Sequence, residues 1–409
     1  MLFESFLRFA LREGAVRFVD QNGRIRYLGD GSAPCCTLRQ HGSFGLKLLR
    51  DPPLAMSEAY MDGLLDVEDG TIRDFLDILM RNYARLERHP FMVAGRWLWL
   101  QGNRLGQYNP MRRARRNVAH HYDLRGELYE LFLDRDMQYS CAYFRDPHDS
   151  LETAQENKKH HIAGKLLLTR PGLKVLDIGS GWGGLALYLA QSADADVTGV
   201  TLSTEQQAVS EKRAAESGMS SCVRFFLRDY REDQGVYDRI VSVGMFEHVG
   251  RRNYGEFFQK AASLLGDNGI MLLHSIGRSD PPAPVNAFIR KYIFPGGDLP
   301  SLSDVMAAAE RSGLLVTDIE ILRLHYANTL REWHRRFAAN RDKVKRMFDE
   351  RFCRMWELYL IGSEMSFRHQ NIMVFQLQLA KRQDTVPLTR DYITDFDRER
   401  AAQNSIAAE

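Results

Sequence analysis

Residues 174–185 read Lys-Val-Leu-Asp-Ile-Gly-Ser-Gly-Trp-Gly-Gly-Leu, which puts one acid and a run of glycines at the end of an aliphatic stretch. The spacing of Asp177, Gly179, Gly181 and Gly183 lets the backbone approach a ligand with no Cβ in the way, and the carboxylate beside it can accept a hydrogen bond. Further along, Glu247 stands among Met245, Phe246 and Val249, and His274 closes another aliphatic run. Cys141 lies within 137–144 (Met-Gln-Tyr-Ser-Cys-Ala-Tyr-Phe). A carboxylate, an imidazole and a thiol are side chains that move or hold protons near neutral pH. Each also has a bland reading: a surface acid, a satisfied core histidine, a small buried hydrophobe. The case for chemistry is their convergence.

The elements that must position them follow from period and punctuation. Strands are predicted at 174–178, 196–202, 223–228, 238–243 and 269–275, with helices near 184–193, 203–217, 253–266 and 303–312. Two late strands, 314–322 and 372–380, are separated by a helical excursion over 328–367. This alternation is the mark of a parallel sheet with helices on both faces. In such a sheet the ligand sits outside the carboxyl ends of the strands, so the residues after each strand matter most. They are Asp177 to Gly183, then Thr201 and Gln206, then Asp229 and Tyr230, then 244–250, then 274–277. Gly179, Gly181 and Gly184 fit the dinucleotide pattern G-x-G-x-x-G, while Asp177 with Gly179, Gly181 and Gly183 fits the D-x-G-x-G-x-G loop of S-adenosylmethionine (SAM) methyltransferases. The second strand ends in Thr201 and not in the acid a nicotinamide ribose wants, which favours SAM. The fold class expected is therefore α/β, a class I SAM-methyltransferase (Rossmann-like) seven-stranded sheet with a smaller N-terminal α+β domain.

Length allows two cores, and the boundaries expected are 1–115, 116–385 and a polar, mobile tail at 386–409. In the first part, helical periodicity is read over 1–18, 54–65 and 71–86, and short strands over 26–28, 36–39 and 45–49. Hydrophobic content of 44%, charged content of 26% and net charge +2 are ordinary for a globular chain and give no global case for nucleic acid. Locally the balance differs: residues 88–122 hold seven arginines and no acid. Beside the aromatic run 91–100, that block reads as a solvated face, then as a surface for anionic lipid, and last as a nucleic-acid contact. Five cysteines without C-x-x-C spacing argue against disulfides and zinc, and point to a reducing cytoplasm. Charges in the first turns and the lack of an apolar run of about eighteen residues leave no signal peptide or membrane span to expect.

Several blocks together resemble the cyclopropane-fatty-acyl-phospholipid synthases. They are 137–143, 175–184, 199–203 with Gln206 and Gln207, 238–250, 291–295 (Lys-Tyr-Ile-Phe-Pro) and, in the first unit, 58–63 (Glu-Ala-Tyr-Met-Asp-Gly). The resemblance implies methylene transfer from SAM to a cis double bond in the acyl chain of a membrane phospholipid, with bound bicarbonate as the base. It maps the bicarbonate cage onto Cys141, Glu247, His274 and Tyr326, lined by Ile276, and places Tyr139 and Ser140 beside the cofactor. An acyl channel would use Tyr139, Tyr143, Phe144, Phe246 and Tyr292. A homodimer acting peripherally on the inner face of the membrane is also implied. One departure stands out: Ser363 occupies the place of a family cysteine, and Glu364 beside it is an extra acid. That keeps open a SAM-dependent fatty-acyl C-methyltransferase leaving a methyl or methylene branch; a non-catalytic lipid-binding protein of the same fold is a separate alternative, against which the presence of Glu247, His274 and Tyr326 together speaks.

Overall fold

The structure, a computed structural model, describes residues 2–83, 126–396 and 398. The arginine-rich block at 88–116 lies outside the described residues. The chain divides into two compact units, one holding described residues 2–83, 283–295 and 330–372, the other 126–282, 296–329 and 373–396. The N-terminal unit is thus completed by two later segments of the chain.

In that unit, strands β1 (Ala15–Val19), β2 (Ile25–Gly29), β3 (Thr37–Gln40) and β4 (Leu65–Glu68) form a sheet in the order β2-β1-β3-β4. Helices Leu2–Ala10, Pro52–Met61 and Ile72–Arg81 flank it. The first helix stops at Ala10, short of the expected 18, because 15–19 (Ala-Val-Arg-Phe-Val) carries branched and aromatic residues that suit a strand. Residues 45–49, expected as a strand, begin the helix Gly45–Arg50, since Leu-Lys-Leu-Leu-Arg are good helix formers with no β-branched residue among them. The helix expected to reach 65 ends at Met61, and Leu65 belongs to β4. Its start is set by Pro52 and by Asp51, whose side chain accepts from the Leu54 N–H.

The acid left unexplained by the sequence has a structural role in this unit. Glu364 is 1% exposed on the helix Glu350–His369 and pairs with both Arg73 and Arg368, the latter at 2.9 Å. Arg73 stands on helix Ile72–Arg81, so the carboxylate joins two helices far apart in sequence.

The larger unit holds a seven-stranded sheet of β5 (Lys174–Ile178), β6 (Asp196–Thr201), β7 (Val223–Leu227), β8 (Tyr237–Val243), β9 (Leu265–Arg278), β10 (Leu315–Ile321) and β11 (Ile372–Ala380). Their order is β10-β11-β9-β8-β5-β6-β7. The pairs β5–β6, β6–β7, β5–β8 and β8–β9 are parallel and β10–β11 is antiparallel. Aliphatic residues on both faces, such as Val175, Leu176, Val197 and Ile240, are buried, as a sheet covered on both sides requires. The strand order reverses at β5, from which the chain winds outward through β6 and later through β8. That makes a crevice at its carboxyl end, where Asp177 lies. Of the tail expected to be mobile, residues 391–396 are helical and Ile393 is buried.

Replacing Glu364 with Ala strands two cations that are only about a quarter exposed. A loss of about 2–3 kcal/mol follows, a little under the cost of breaking a fully buried pair. It is expected as a lower urea midpoint for Glu364→Ala, with Glu364→Gln in between; an unchanged midpoint would show that the pair adds nothing.

Candidate active site

A cavity opens at the carboxyl ends of β5, β6, β7 and β8. Nine of the ten residues expected to hold the cofactor line it: Tyr139, Ser140, Asp177, Gly179, Gly181, Thr201, Gln206, Asp229 and Tyr230. Gly183 does not. It caps the helix Gly184–Ala193 with φ of +82°, a left-handed turn that glycine adopts without strain, and packs against Phe225 and Ser210. Gly184, which follows, is needed for close approach: a Cβ there would sit 2.5 Å from Asp136 Oδ2 and Gln138 Nε2.

The walls of the cavity are set by local hydrogen bonds. Thr201 Oγ1 donates to Gln206 Oε1 at 2.9 Å, and Ser203 caps the helix Thr204–Glu216 that carries Gln206. Asp229 uses both oxygens on Arg231, at 2.9 and 2.7 Å, which fixes its direction while leaving lone pairs for a ligand donor. Tyr230 packs edge-on against Phe257, ring centroids 5.4 Å apart. Asp177 is fully buried; its Oδ2 has no hydrogen-bond partner, and burial raises its carboxyl to about 7 against the opposing charge of Lys158. An orphaned buried acceptor beside a backbone-lined turn suits a ligand that brings an ammonium group and a nucleoside, which is the chemistry of SAM.

The five residues expected to form an anion cage are not among those lining this cavity. Glu247 lies between Met245 and His248, both on the wall, in the turn that follows β8. Its Oε1 accepts the Ile276 N–H at 2.6 Å, while Oε2 is buried with no partner. Burial pushes its carboxyl up to about 7, with the Ile276 N–H opposing. His274 and Ile276 stand two apart on β9 and so face the same side of the sheet. His274 takes a hydrogen bond from Gln376 Nε2 at its Nδ1, 3.2 Å, which leaves its hydrogen on Nε2. Burial first, then the charge of Lys158, lowers it to about 3, so the ring is neutral.

Cys141 is buried beside Ser140, and burial pushes its thiol far above the ordinary range, so it is a thiol and not a thiolate. The next residue, Ala142, donates its N–H to Thr329 Oγ1 at 3.0 Å, one turn into the helix His325–Ala339 on which Tyr326 is buried. Phe144 N–H donates to Nδ1 of His325, the first residue of that helix, also at 3.0 Å.

One of the expected channel aromatics is placed otherwise. Phe246 is wholly buried in the core among Tyr254, Phe257 and Phe258, because its side of the turn after β8 faces the helix Tyr254–Leu264. Tyr292 is engaged within the N-terminal unit, its hydroxyl donating to Glu58 at 3.0 Å. Tyr143 stacks between His161 and His325, at 4.3 and 4.8 Å.

The sequence reading missed two residues on the helix Leu151–Lys165. Lys158 is wholly buried and donates to Ser140 Oγ at 2.8 Å and Gln138 Oε1 at 2.6 Å. Gln155, one turn earlier, donates to the backbone carbonyls of Gln138 and Ser140 at 3.2 and 3.0 Å. Nothing in the local sequence marks either residue, since Lys and Gln are types usually left in solvent. Among the described residues, no group of His, Cys, Asp and Glu could hold a metal ion and no helix is long and apolar enough to cross a membrane.

Comparison with known proteins adds the following. Residues 109–377 match the family described as mycolic acid cyclopropane synthetase. The chain is 38% identical over 352 residues to the cyclopropane-fatty-acyl-phospholipid synthase of Escherichia coli K12, covering 86% of this chain and 89% of that one. To the tuberculostearic acid methyltransferase UfaA1 of Mycobacterium tuberculosis it is 34% identical, covering 90% and 88%. Among solved structures, the mycolic acid cyclopropane synthase CmaA1 complexed with SAH and CTAB aligns at TM-score 0.62 and 35% identity, covering 66% of this chain and 99% of that one.

Because Asp177 and Glu247 titrate near 7 in the fold and near 4 when unfolded, the folded state holds protons that the unfolded state releases. Their contribution is full below about pH 4 and is lost as pH rises through about 7, up to about 4 kcal/mol for each group. Ligand-free protein is expected to have a lower urea midpoint at pH 8 than at pH 5, and Glu247→Gln is expected to shrink that difference. A midpoint that rises over this window in both proteins would contradict the burial of these acids.

Proposed function

Because the chain belongs to the mycolic acid cyclopropane synthetase family, we propose that it is a cyclopropane-fatty-acyl-phospholipid synthase. It uses SAM and the cis double bond of an unsaturated phospholipid acyl chain, with bicarbonate as the base. The observation that carries this reading is Glu247, held by the Ile276 N–H through one oxygen while the other is buried and unpaired beside the cofactor cavity.

When bound, SAM supplies an electron-poor methyl group to the alkene. The acyl chain then carries a positive charge, and closing the three-membered ring needs removal of one proton from the added carbon. None of the cage residues suits that task alone. Cys141 keeps its proton, His274 is too weak a base, and Tyr326 is a phenol. Together they suit an anion. His274 Nε2–H, the Tyr326 hydroxyl and the Cys141 thiol are neutral donors, and Glu247 near its titration point can add a fourth hydrogen from Oε2. Neutral donors stabilise bicarbonate without the full charge that would abolish its basicity. The anion takes the proton and becomes carbonic acid, which leaves as water and carbon dioxide.

The competing reading, a fatty-acyl C-methyltransferase, draws on Ser363 in the cysteine position and on the likeness to UfaA1. Incubation with SAM and unsaturated phosphatidylglycerol vesicles separates the two. Upfield cyclopropane protons by NMR, formed only when bicarbonate is returned to carbonate-depleted buffer, are expected. Branched lipid would establish the methyltransferase, and turnover indifferent to bicarbonate would remove the anion from the mechanism. Glu247→Gln is expected to lower kcat by about a hundredfold or more, the scale of a lost proton-handling group.

The membrane partner is part of the same reading. We place the enzyme as a homodimer, peripheral on the cytoplasmic face, recruited to anionic lipid by the arginines of 88–116. Replacing those seven arginines with Ser is expected to weaken sedimentation with anionic vesicles by at least about tenfold at low salt, at roughly 1 kcal/mol per residue near the surface. Equal binding by both proteins would assign recruitment elsewhere.

A further inference from the structure

The wholly buried Lys158 has no place in the chemistry above. Its ammonium carries three hydrogens and no acceptor, so in both of its contacts it donates. Ser140 Oγ at 2.8 Å and Gln138 Oε1 at 2.6 Å are therefore both accepting. Two consequences follow. The Gln138 amide is oriented with its Nε2 toward Asp136 Oδ2, which it reaches at 3.0 Å. The Ser140 hydroxyl has its oxygen turned to the lysine and its own hydrogen directed elsewhere. No acceptor among the described residues takes that hydrogen, and Ser140 is on the cavity wall. The backbone here is held separately, since Gln155 pins the carbonyls of Gln138 and Ser140.

We infer that Lys158 is a positioning residue for the amino-acid end of the cofactor, presenting the Ser140 hydroxyl as a donor to a carboxylate. This rests on the reading of the cavity as the SAM site. The pairing has its complement in Asp177, on the same wall, whose unpartnered Oδ2 suits the ammonium of the same amino acid. A zwitterion then meets an acceptor from β5 and a donor from the 137–144 segment. The buried cation behind that donor adds its field in the direction a carboxylate prefers. A neutral side chain at 158 would leave the hydroxyl free to turn its hydrogen away and the carboxylate without that field.

The test is calorimetric binding to full-length protein of two probes, S-adenosylhomocysteine and its amine analogue that lacks only the carboxylate. Lys158→Met is expected to weaken S-adenosylhomocysteine binding by about tenfold or more, the scale of one hydrogen bond to a charged group. Its binding of the carboxylate-free analogue should stay within about twofold. Ser140→Ala is expected to give the same selective loss, and the double variant is expected to be no weaker than the weaker single one, because both remove one interaction. Equal weakening toward both probes would reduce Lys158 to a structural support. Should Lys158→Met fail to fold, a Ser140→Ala variant that keeps the wild-type preference for the carboxylate overturns the proposal by itself. Wild-type protein that binds neither probe would instead overturn the SAM reading.

Discussion

Two carboxylate oxygens, Asp177 Oδ2 and Glu247 Oε2, are buried at the carboxyl edge of one sheet with nothing to hydrogen-bond. Each costs on the order of 1–3 kcal/mol relative to a paired group, and a fold keeps such groups only where the surroundings leave them no way out. The surroundings here are the parallel strands themselves. Asp177 pairs in register with Gly199 of β6 and Val241 of β8, so its backbone has no freedom to swing the side chain to water. Glu247 is held by the Ile276 N–H through one oxygen, and its turn is tied to β9 where Gly244 N–H donates to the His274 carbonyl at 2.9 Å. Rigid strands pay for reactivity at their ends.

The same logic explains why a lysine and not a water-filled gap lies under the cofactor cavity. Asp136, Gln138, Lys158 and Ser140 form a chain of charge-assisted hydrogen bonds, extended by Arg213, which pairs with Asp136 and donates to the Trp182 carbonyl at 2.7 Å. The 136–140 segment and the glycine turn are therefore fixed to one another through side chains, although neither is regular secondary structure. Burial lowers Lys158 to about 8, and the nearby charges of Asp134 and Asp136 oppose that shift. In a low-dielectric region a chain of charge-assisted bonds of this kind holds its members in one arrangement, with the Ser140 hydrogen left for a ligand.

Legibility in the sequence followed the range of the interactions. The strand–turn–helix at 174–193 could be read because period, glycine spacing and the acid at the strand end are all local. The helix Gly45–Arg50 was misread because six residues between turn signals leave strand and helix templates equally matched, and only packing decides. Glu364 could not be assigned from sequence at all, as one of its partners, Arg73, is 291 positions away. Phe246 shows the same limit at short range: the acid beside it turns to the Ile276 N–H of β9 and the ring turns into the core, a difference of one position in a 3-10 turn that hydrophobicity alone does not fix.

Lys158 was illegible for a different reason. The helix Leu151–Lys165 buries Lys158, Lys159, His160, His161 and Lys165, residue types that composition assigns to solvent. Each finds an acid, hydroxyl or amide on a neighbouring segment: Lys159 reaches Asp136 at 2.9 Å, His161 reaches Glu320 at 2.6 Å, and Lys165 reaches that same Glu320 at 2.5 Å. A helix with so little apolar surface gains little from the hydrophobic effect, so its position is set by where its charges find partners. Those partners lie on β10, on the glycine-turn side and on the segment carrying Ser140 and Cys141. The helix thereby acts as a gauge between the outer sheet edge and the cofactor cavity. Replacing it by an apolar helix of equal volume could keep the fold stable, but would leave the hydroxyl and carboxylates of the site with no fixed orientation.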